Sequence, residues 1–430
     1  MMVKSLAAGW LLLSTAAALQ TCVVPSQYNC SKGKASDAAA IAEVFARCSQ
    51  NSIIEFSEGV DYNVFSPITA KNLSNVVISL KGNWDLPQNV SAVQELVAAA
   101  GGSLTWLTLA GKNVQILGTP NITTGWIKSY GQAWWDLNAP GAAGTPNRPH
   151  LMSINFQNGY IRHLKSLKPI AWNFSIKGSN ITIEDSIIEA TSDSAAFPFN
   201  TDGFDVGGTD VTIRNSVIYN GDDAIAVGSG AKNVLFQGGT IGYQTHGMSI
   251  GSLGSNQAQP ADVQNIHFDD ITVVNGVYAA RFKSWIGGQG LAKNITWSNI
   301  RAYNVTFPIF VTQTYFNQAT TGPPRPNNSS VNMQDFTWEN FARTINTFNP
   351  GDGSCVTDPC WYDVGLPSLK HTEAVIIECN TPTSCQNFAL KNIELFPQNQ
   401  TPPTQICINA MENLNPELGI ACRNGTFVPL

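Results

Sequence analysis

A phrase repeated along the middle of the chain limits what it can fold into. It consists of a polar residue, a short β-rich run, a turn and a second β-rich run. Clear copies are Asn180-Ile-Thr-Ile-Glu-Asp-Ser-Ile-Ile, Asp210-Val-Thr-Ile-Arg-Asn-Ser-Val-Ile and Asn233-Val-Leu-Phe-Gln-Gly-Gly-Thr-Ile. Asn265-Ile-His-Phe and Asn294-Ile-Thr-Trp begin two more, and weaker copies lie near Asn75 and Phe336. The period is roughly 22–32 residues, in the solenoid range. Alternate positions are apolar (Val211 and Ile213, Val234 and Phe236, Ile266 and Phe268), which is strand periodicity with one face inward. No segment between the phrases has the length and pattern of a crossover helix. Each repeat therefore reads as one coil of an all-β, right-handed parallel β-helix. One coil cannot bury its own apolar face, but a stack buries a continuous core. The open edge of the first coil needs a cover. Ser36–Cys48 fits a capping helix, with Ser36 or Asp37 at its start and Ile41, Val44, Phe45 and Cys48 on one face. The cysteine-rich tail is expected to close the other end. No linker divides residues 19–430, which read as a single domain.

Residues 1–18 read as a secretory signal peptide. Lys4 is the charged start, Leu6 to Leu13 is mostly apolar, and Ala16, Ala17 and Ala18 offer a cleavage site. The expectation is a secreted, extracellular protein with no membrane segment after cleavage. Glycosylation sequons agree, at Asn89, Asn121, Asn173, Asn180, Asn294, Asn304, Asn327, Asn328, Asn399 and Asn424. The nine cysteines cluster at the two ends. An oxidising compartment favours disulfides, and the expected pairs are Cys22–Cys48, Cys355–Cys360, Cys379–Cys385 and Cys407–Cys422, with Cys30 left over. Their spacing does not suggest zinc. A net charge of −6 argues against nucleic acid as a partner and against long-range steering of an anion. Recognition of a polyanion must rest on local cations.

Four sites recur at coil-like intervals: Asp202 in Asn200-Thr-Asp-Gly203, Asp222 and Asp223 in Gly221-Asp-Asp, His246 in Gln244-Thr-His-Gly247, and Arg281 with Lys283 in Arg-Phe-Lys. Alone, each has an ordinary reading as a turn, a structural histidine or surface charge. Together, in a solenoid, they stack on one face. Glycoside hydrolysis needs one carboxylic acid to protonate the leaving oxygen and one carboxylate to activate water or attack. Crowded carboxylates push at least one pKa upward, as a proton donor requires.

This constellation resembles the signature of family 28 glycoside hydrolases, the polygalacturonases and related pectin hydrolases. Trp134-Trp135-Asp136, after Gly131, is similar to a family element upstream of the catalytic coils. Gly247-Met-Ser-Ile-Gly-Ser-Leu-Gly254 is similar to the exo-acting fungal branch, the galacturan 1,4-α-galacturonosidases. The resemblance implies a pectin-lyase-like solenoid that hydrolyses α-1,4-galacturonide bonds of polygalacturonate with inversion, from the chain end, as a monomer. It implies Asp222 as general acid, Asp202 and Asp223 as residues that position and deprotonate water, and His246 as support for the acid. Arg281 and Lys283, with Asn200, would hold the substrate. No metal or organic cofactor is implied. Gln244-Thr-His, Arg-Phe-Lys, Ala224 and Ser229 depart from the common pattern. The charged groups are intact.

Other readings stay open. The enzyme could be an endo-polygalacturonase or act on rhamnogalacturonan or xylogalacturonan. A pectate lyase shares the fold but relies on Ca²⁺. A non-catalytic β-helix could bind glycans through exposed Trp134, Trp135 and Trp285. Gly247-Met-Ser249-Ile-Gly251 matches a serine-hydrolase pattern, but β-rich sequence follows it where a helix is required. An acid/base pair of carboxyl groups predicts an acidic pH optimum.

Overall fold

A computed structural model describes residues 19–28, 33–316, 326–356, 360, 362–363 and 365–430. Residues 1–18 and Cys30 lie outside the described residues. Twenty-five strands form one continuous sheet. Every strand pairing among the described residues is parallel except that of Thr404–Ile408 with Gly425–Thr426. This is a parallel β-helix, and each coil pairs with the coil before and after it.

The polar residue that opens each phrase makes the bend. Asn180, Asp210, Asn233, Asn265 and Asn294 all have φ between 55° and 59°. Asn and Asp tolerate this left-handed conformation better than other residues with a Cβ. Their side chains also join the coils: Asn233 Nδ2 donates to Asp210 Oδ1 (2.8 Å), Asn265 to Asn233 (2.8 Å) and Asn294 to Asn265 (2.9 Å). After each bend the alternate apolar residues turn inward. Phe236, Phe268, Trp297 and Trp338 fall in register and are buried. The two indoles stack with centroids 5.6 Å apart and planes 1° from parallel. Like side chains thus stack from coil to coil in the core.

Helix α1 (Ala38–Arg47) buries Ala38, Ile41, Val44 and Phe45. Its start differs from the simple capping pattern. The Asp37 carboxylate accepts from Gln27 N (2.6 Å) and Asn63 N (2.8 Å), tying the helix to the neighbouring chain, while Ser36 Oγ accepts from Ala38 N (3.3 Å). Helix α2 spans Val90–Ala99 and the short helix α3 spans Gln132–Asp136. Four disulfides join Cys22 to Cys48, Cys355 to Cys360, Cys379 to Cys385 and Cys407 to Cys422.

Trp134 and Trp135 are 1% and 3% exposed, so they are packing residues and offer no platform for a sugar. Asn173 is a second correction. It is 1% exposed, accepts from Ser166 Oγ (2.6 Å) and donates to Asp202 O (2.9 Å), which leaves no path for a glycan. Asn304 is half-buried, and the other eight sequon asparagines are exposed.

Candidate active site

Strands Phe204–Val206, Ile225–Val227, Met248–Leu253 and Tyr278–Trp285 stack as four successive coils of one face. Phe204, Ile225, Met248 and Ala280 are in register on the inner side. Asp202, Asp223 and His246 lie two residues before Phe204, Ile225 and Met248 respectively, in the turn that enters each strand. Coil stacking therefore places them together. Backbone bonds fix the turns: Gly203 N donates to Asp223 O (2.9 Å) and His246 N to Asp222 O (2.8 Å). Asn220 Nδ2 donates to the carbonyls of Thr201, Asp222 and Asp223, a single amide bridging two coils.

Asp222 has the most accessible carboxylate of three, with its side chain 17% exposed against 2% for Asp223 and 1% for Asp352. Its Oδ1 faces His246 Nδ1 (3.1 Å) and accepts from Asp223 N (2.8 Å), while Asn200 Nδ2 approaches Oδ2 at 3.3 Å. Asp223 is clamped. Its Oδ1 accepts from Ser249 Oγ (2.6 Å) and Arg281 Nη2, and its Oδ2 from Lys283 Nζ (2.9 Å). Arg281 Nε also donates to Ser249 Oγ (2.9 Å), and its guanidinium lies 4.5 Å from the Tyr278 ring centroid. Ser249 is thus a spacer in an ion-pair cluster, on a strand with no helix after it.

Burial and crowding divide the protons among these groups. Asp202 is 8% exposed, and its Oδ1 has no hydrogen-bond partner among the described residues. Burial, then the charge of Asp222, raises its pKa well above the carboxylate range. Asp205 shares a column with Ala226, Ser249 and Arg281, and burial followed by Asp223 and Asp222 raises it to about 7. The sequence reading missed Asp205. Its signal is the outward phase of the strand after Gly203. For Asp222 burial acts upward, but the imidazolium of His246, helped by Lys283 and Arg281, holds the carboxyl below its ordinary range. Burial also acts against the His246 charge, yet Asp222 and Asp352 raise it to about 9. The raised carboxyls are therefore Asp202 and Asp205. The opposite shifts of Asp222 and His246 place the shared proton on the ring.

Two further residues come from outside the repeated phrases. Asp352 Oδ2 lies 2.7 Å from His246 Nε2. Arg148 donates to Phe199 O (2.6 Å) and Asn200 Oδ1 (2.7 Å), and burial lowers its pKa to about 10. On the other side, a cavity of about 180 Å³ is lined by Lys283, Phe310, Thr312, Tyr315, Tyr362 and Glu378. Asp222, Asp223 and His246 offer ligand atoms within 4.8 Å of one another. A cation fits this group poorly, because Asp223 already holds Arg281 and Lys283, and both ring nitrogens of His246 face carboxylates.

The model of glycosyl hydrolases family 28 matches residues 73–368. The chain belongs to glycosyl hydrolases family 28. This family 28 protein is 57% identical over 418 residues to "Probable exopolygalacturonase C" of Aspergillus niger, covering 97% of this chain and 94% of that one. Its fold is similar to endo-xylogalacturonan hydrolase from Aspergillus tubingensis, with TM-score 0.73 and 21% identity over 94% of this chain and 99% of the other. Polygalacturonase from Erwinia carotovora ssp. carotovora gives TM-score 0.63 and 18% identity over 92% and 96%.

The proton distribution of this family 28 site sets an expected stability profile. Carboxyls raised in the folded state favour the fold while protonated, so Asp202 and Asp205 cost stability as pH rises from about 4, through about 7 for Asp205. His246 acts in the same direction later, since its contribution is complete below the unfolded imidazole value and lost through about 9. Asp222 acts oppositely, losing its contribution on acidification below the carboxylate range. Tm should be higher at pH 5 than at pH 8, and Asp205→Asn should reduce that difference. Calorimetry at the two pH values checks this; an equal or higher Tm at pH 8 contradicts it.

Proposed function

We propose that the chain is a secreted exopolygalacturonase that releases galacturonate from the end of polygalacturonate by inverting hydrolysis. The observation that carries the chemistry is one accessible carboxylate, Asp222, backed by His246 and beside a clamped second carboxylate, Asp223. Asp222, the most accessible of the three carboxyls, delivers a proton to the leaving oxygen. The ring supplies that proton through Nδ1 and Oδ1. An entering galacturonate brings a negative charge, which raises the affinity of Asp222 for the proton.

The two cations take different parts. Arg281, with its side chain 3% exposed and bonded to Asp223 and Ser249, keeps Asp223 in place. Both line the adjoining cavity, and Lys283, with its side chain 10% exposed, is the less enclosed of the two and turns to the substrate carboxylate. That turn frees Asp223 Oδ2 to take a proton from water. Asp202, where burial and the charge of Asp222 favour the protonated form, orients that water.

End attack is supported by the 57% identity to a protein named as an exopolygalacturonase. A second support is the wall beside Asn200. Arg148 ties its own loop to Phe199 and Asn200, and Gln132 Nε2 donates to Ser192 Oγ and Ser194 Oγ (both 3.1 Å). These bonds join the loops on the side of the earlier coils. Residues 1–18 and the disulfides support export. Incubation with polygalacturonate should release monomeric galacturonate from the first time point. A ladder of oligomers would overturn end attack. An unsaturated product absorbing in the near ultraviolet would replace hydrolysis by elimination.

A further inference from the structure

We propose that Asp352 is a positioning residue for the hydrolysis, brought to the back of the acid by a loop outside the repeat. The inference rests on the hydrolase reading above. Residues 346–356 follow strand Val331–Ile345 outside the repeat, and Asp352 lies in this loop. The loop is anchored on both sides of the contact. Gln244 Nε2 donates to Asp352 O (2.6 Å), Gly351 N donates to Thr306 Oγ1 (2.9 Å), and Cys355 is bonded to Cys360. The carboxylate is oriented as well. Ser354 donates to Oδ1 from both N (2.8 Å) and Oγ (2.5 Å), which leaves Oδ2 for His246 Nε2 at 2.7 Å.

The consequence follows from hydrogen counting. A neutral imidazole has one N–H and one acceptor nitrogen. Here a carboxylate faces each nitrogen, Asp222 at Nδ1 and Asp352 at Nε2. While both carboxyls are ionised, both contacts are satisfied together only when the ring carries both protons. Asp352 thus keeps a transferable proton on the nitrogen facing Asp222 and fixes the ring plane that delivers it. Other groups bear on this pair. Asp223 lies within 4.8 Å of the Asp222–His246 ligand atoms, and the Tyr278 ring meets the imidazole edge-on at 6.1 Å. Tyr278 and Tyr362 feel the charge of Asp352, while Arg281 and Lys283 act on Asp222. Asp352 accepts from Nε2. An Asn at position 352 offers an N–H to that nitrogen and lets the ring become neutral.

Asp352→Asn is expected to lower kcat on polygalacturonate by on the order of tenfold or more, with KM changed by less than about threefold. The 1% exposure of its side chain keeps it away from substrate. The distinguishing readout is the titration of the His246 ring by NMR, assigned among the five histidines by its loss in His246→Gln. From about 9 in the wild type it should fall by at least about one unit. Asp352→Glu should restore both the titration and most of the rate. An unchanged titration or an unchanged kcat in a folded Asp352→Asn protein overturns the proposal. If that variant does not fold, Asp352→Ser replaces it with the same two readouts. A wild type that leaves polygalacturonate intact would end the hydrolase reading, and the titration would still decide the link between Asp352 and His246.

Discussion

Asp222→Asn is expected to reduce kcat on polygalacturonate by about 10²–10⁴-fold, the contribution of a positioned general acid, with a much smaller change in KM. The substitution keeps shape and most contacts. An Asn Oδ1 can still accept from His246 Nδ1 and Asp223 N, the bonds that Asp222 Oδ1 now makes. The folded protein should therefore persist, and circular dichroism and thermal unfolding would show it. What disappears is the group that can hold a proton at the cleft. This experiment also separates two assignments. The contact with His246 lowers the pKa of Asp222, whereas burial and the charge of Asp222 raise that of Asp202. If protons reached the leaving oxygen from Asp202, Asp202→Asn would be the more damaging change and Asp222→Asn would retain activity within about tenfold. Steady-state rates of both variants across pH 3 to 8 decide between them.

The stack and its shared face were legible because the fold converts sequence spacing directly into spatial neighbours. Asn180, Asp210, Asn233, Asn265 and Asn294 mark the bends, and the apolar alternation after each marks the inner wall. Asp202, Asp223 and His246 then fall into the same turn of successive coils. Legibility ended where the repeat ended. Asp352 and Arg148 sit in irregular loops whose path is set by tertiary contacts, so no period links them to His246 or Asn200. Charge crowding was visible, but its partition was not. The contact with His246 takes Asp222 down, while burial takes Asp202 and Asp205 up. Local motifs also carry no information on burial. Helix α3 is too short to show an amphipathic pattern, so Trp134 and Trp135 passed for surface aromatics, and Asn173 passed for a glycan acceptor.

Asp223→Asn is expected to destabilise the protein by about 3–5 kcal/mol as well as to abolish turnover, because it removes one partner of a buried ion cluster. Arg281 and Lys283 both terminate on this carboxylate, and the side chains are 3%, 10% and 2% exposed for Arg281, Lys283 and Asp223. An amide offers one acceptor where the carboxylate offered two charged ones, so a buried cation loses its counter-charge. The neighbouring Asp202→Asn makes the opposite case. That carboxyl has an oxygen without a partner and is already pushed toward its neutral form, so exchanging it for an amide removes no ion pair. Both variants should lose activity, yet only Asp223→Asn should shift the denaturant midpoint strongly downward at pH 5. Two equal midpoints would mean that Lys283 turns outward and rehydrates at little cost. The clamp would then be a device for holding Asp223 in reacting position, and the fold would draw its strength at this level from the stacked apolar residues Phe204, Ile225, Met248 and Ala280 alone.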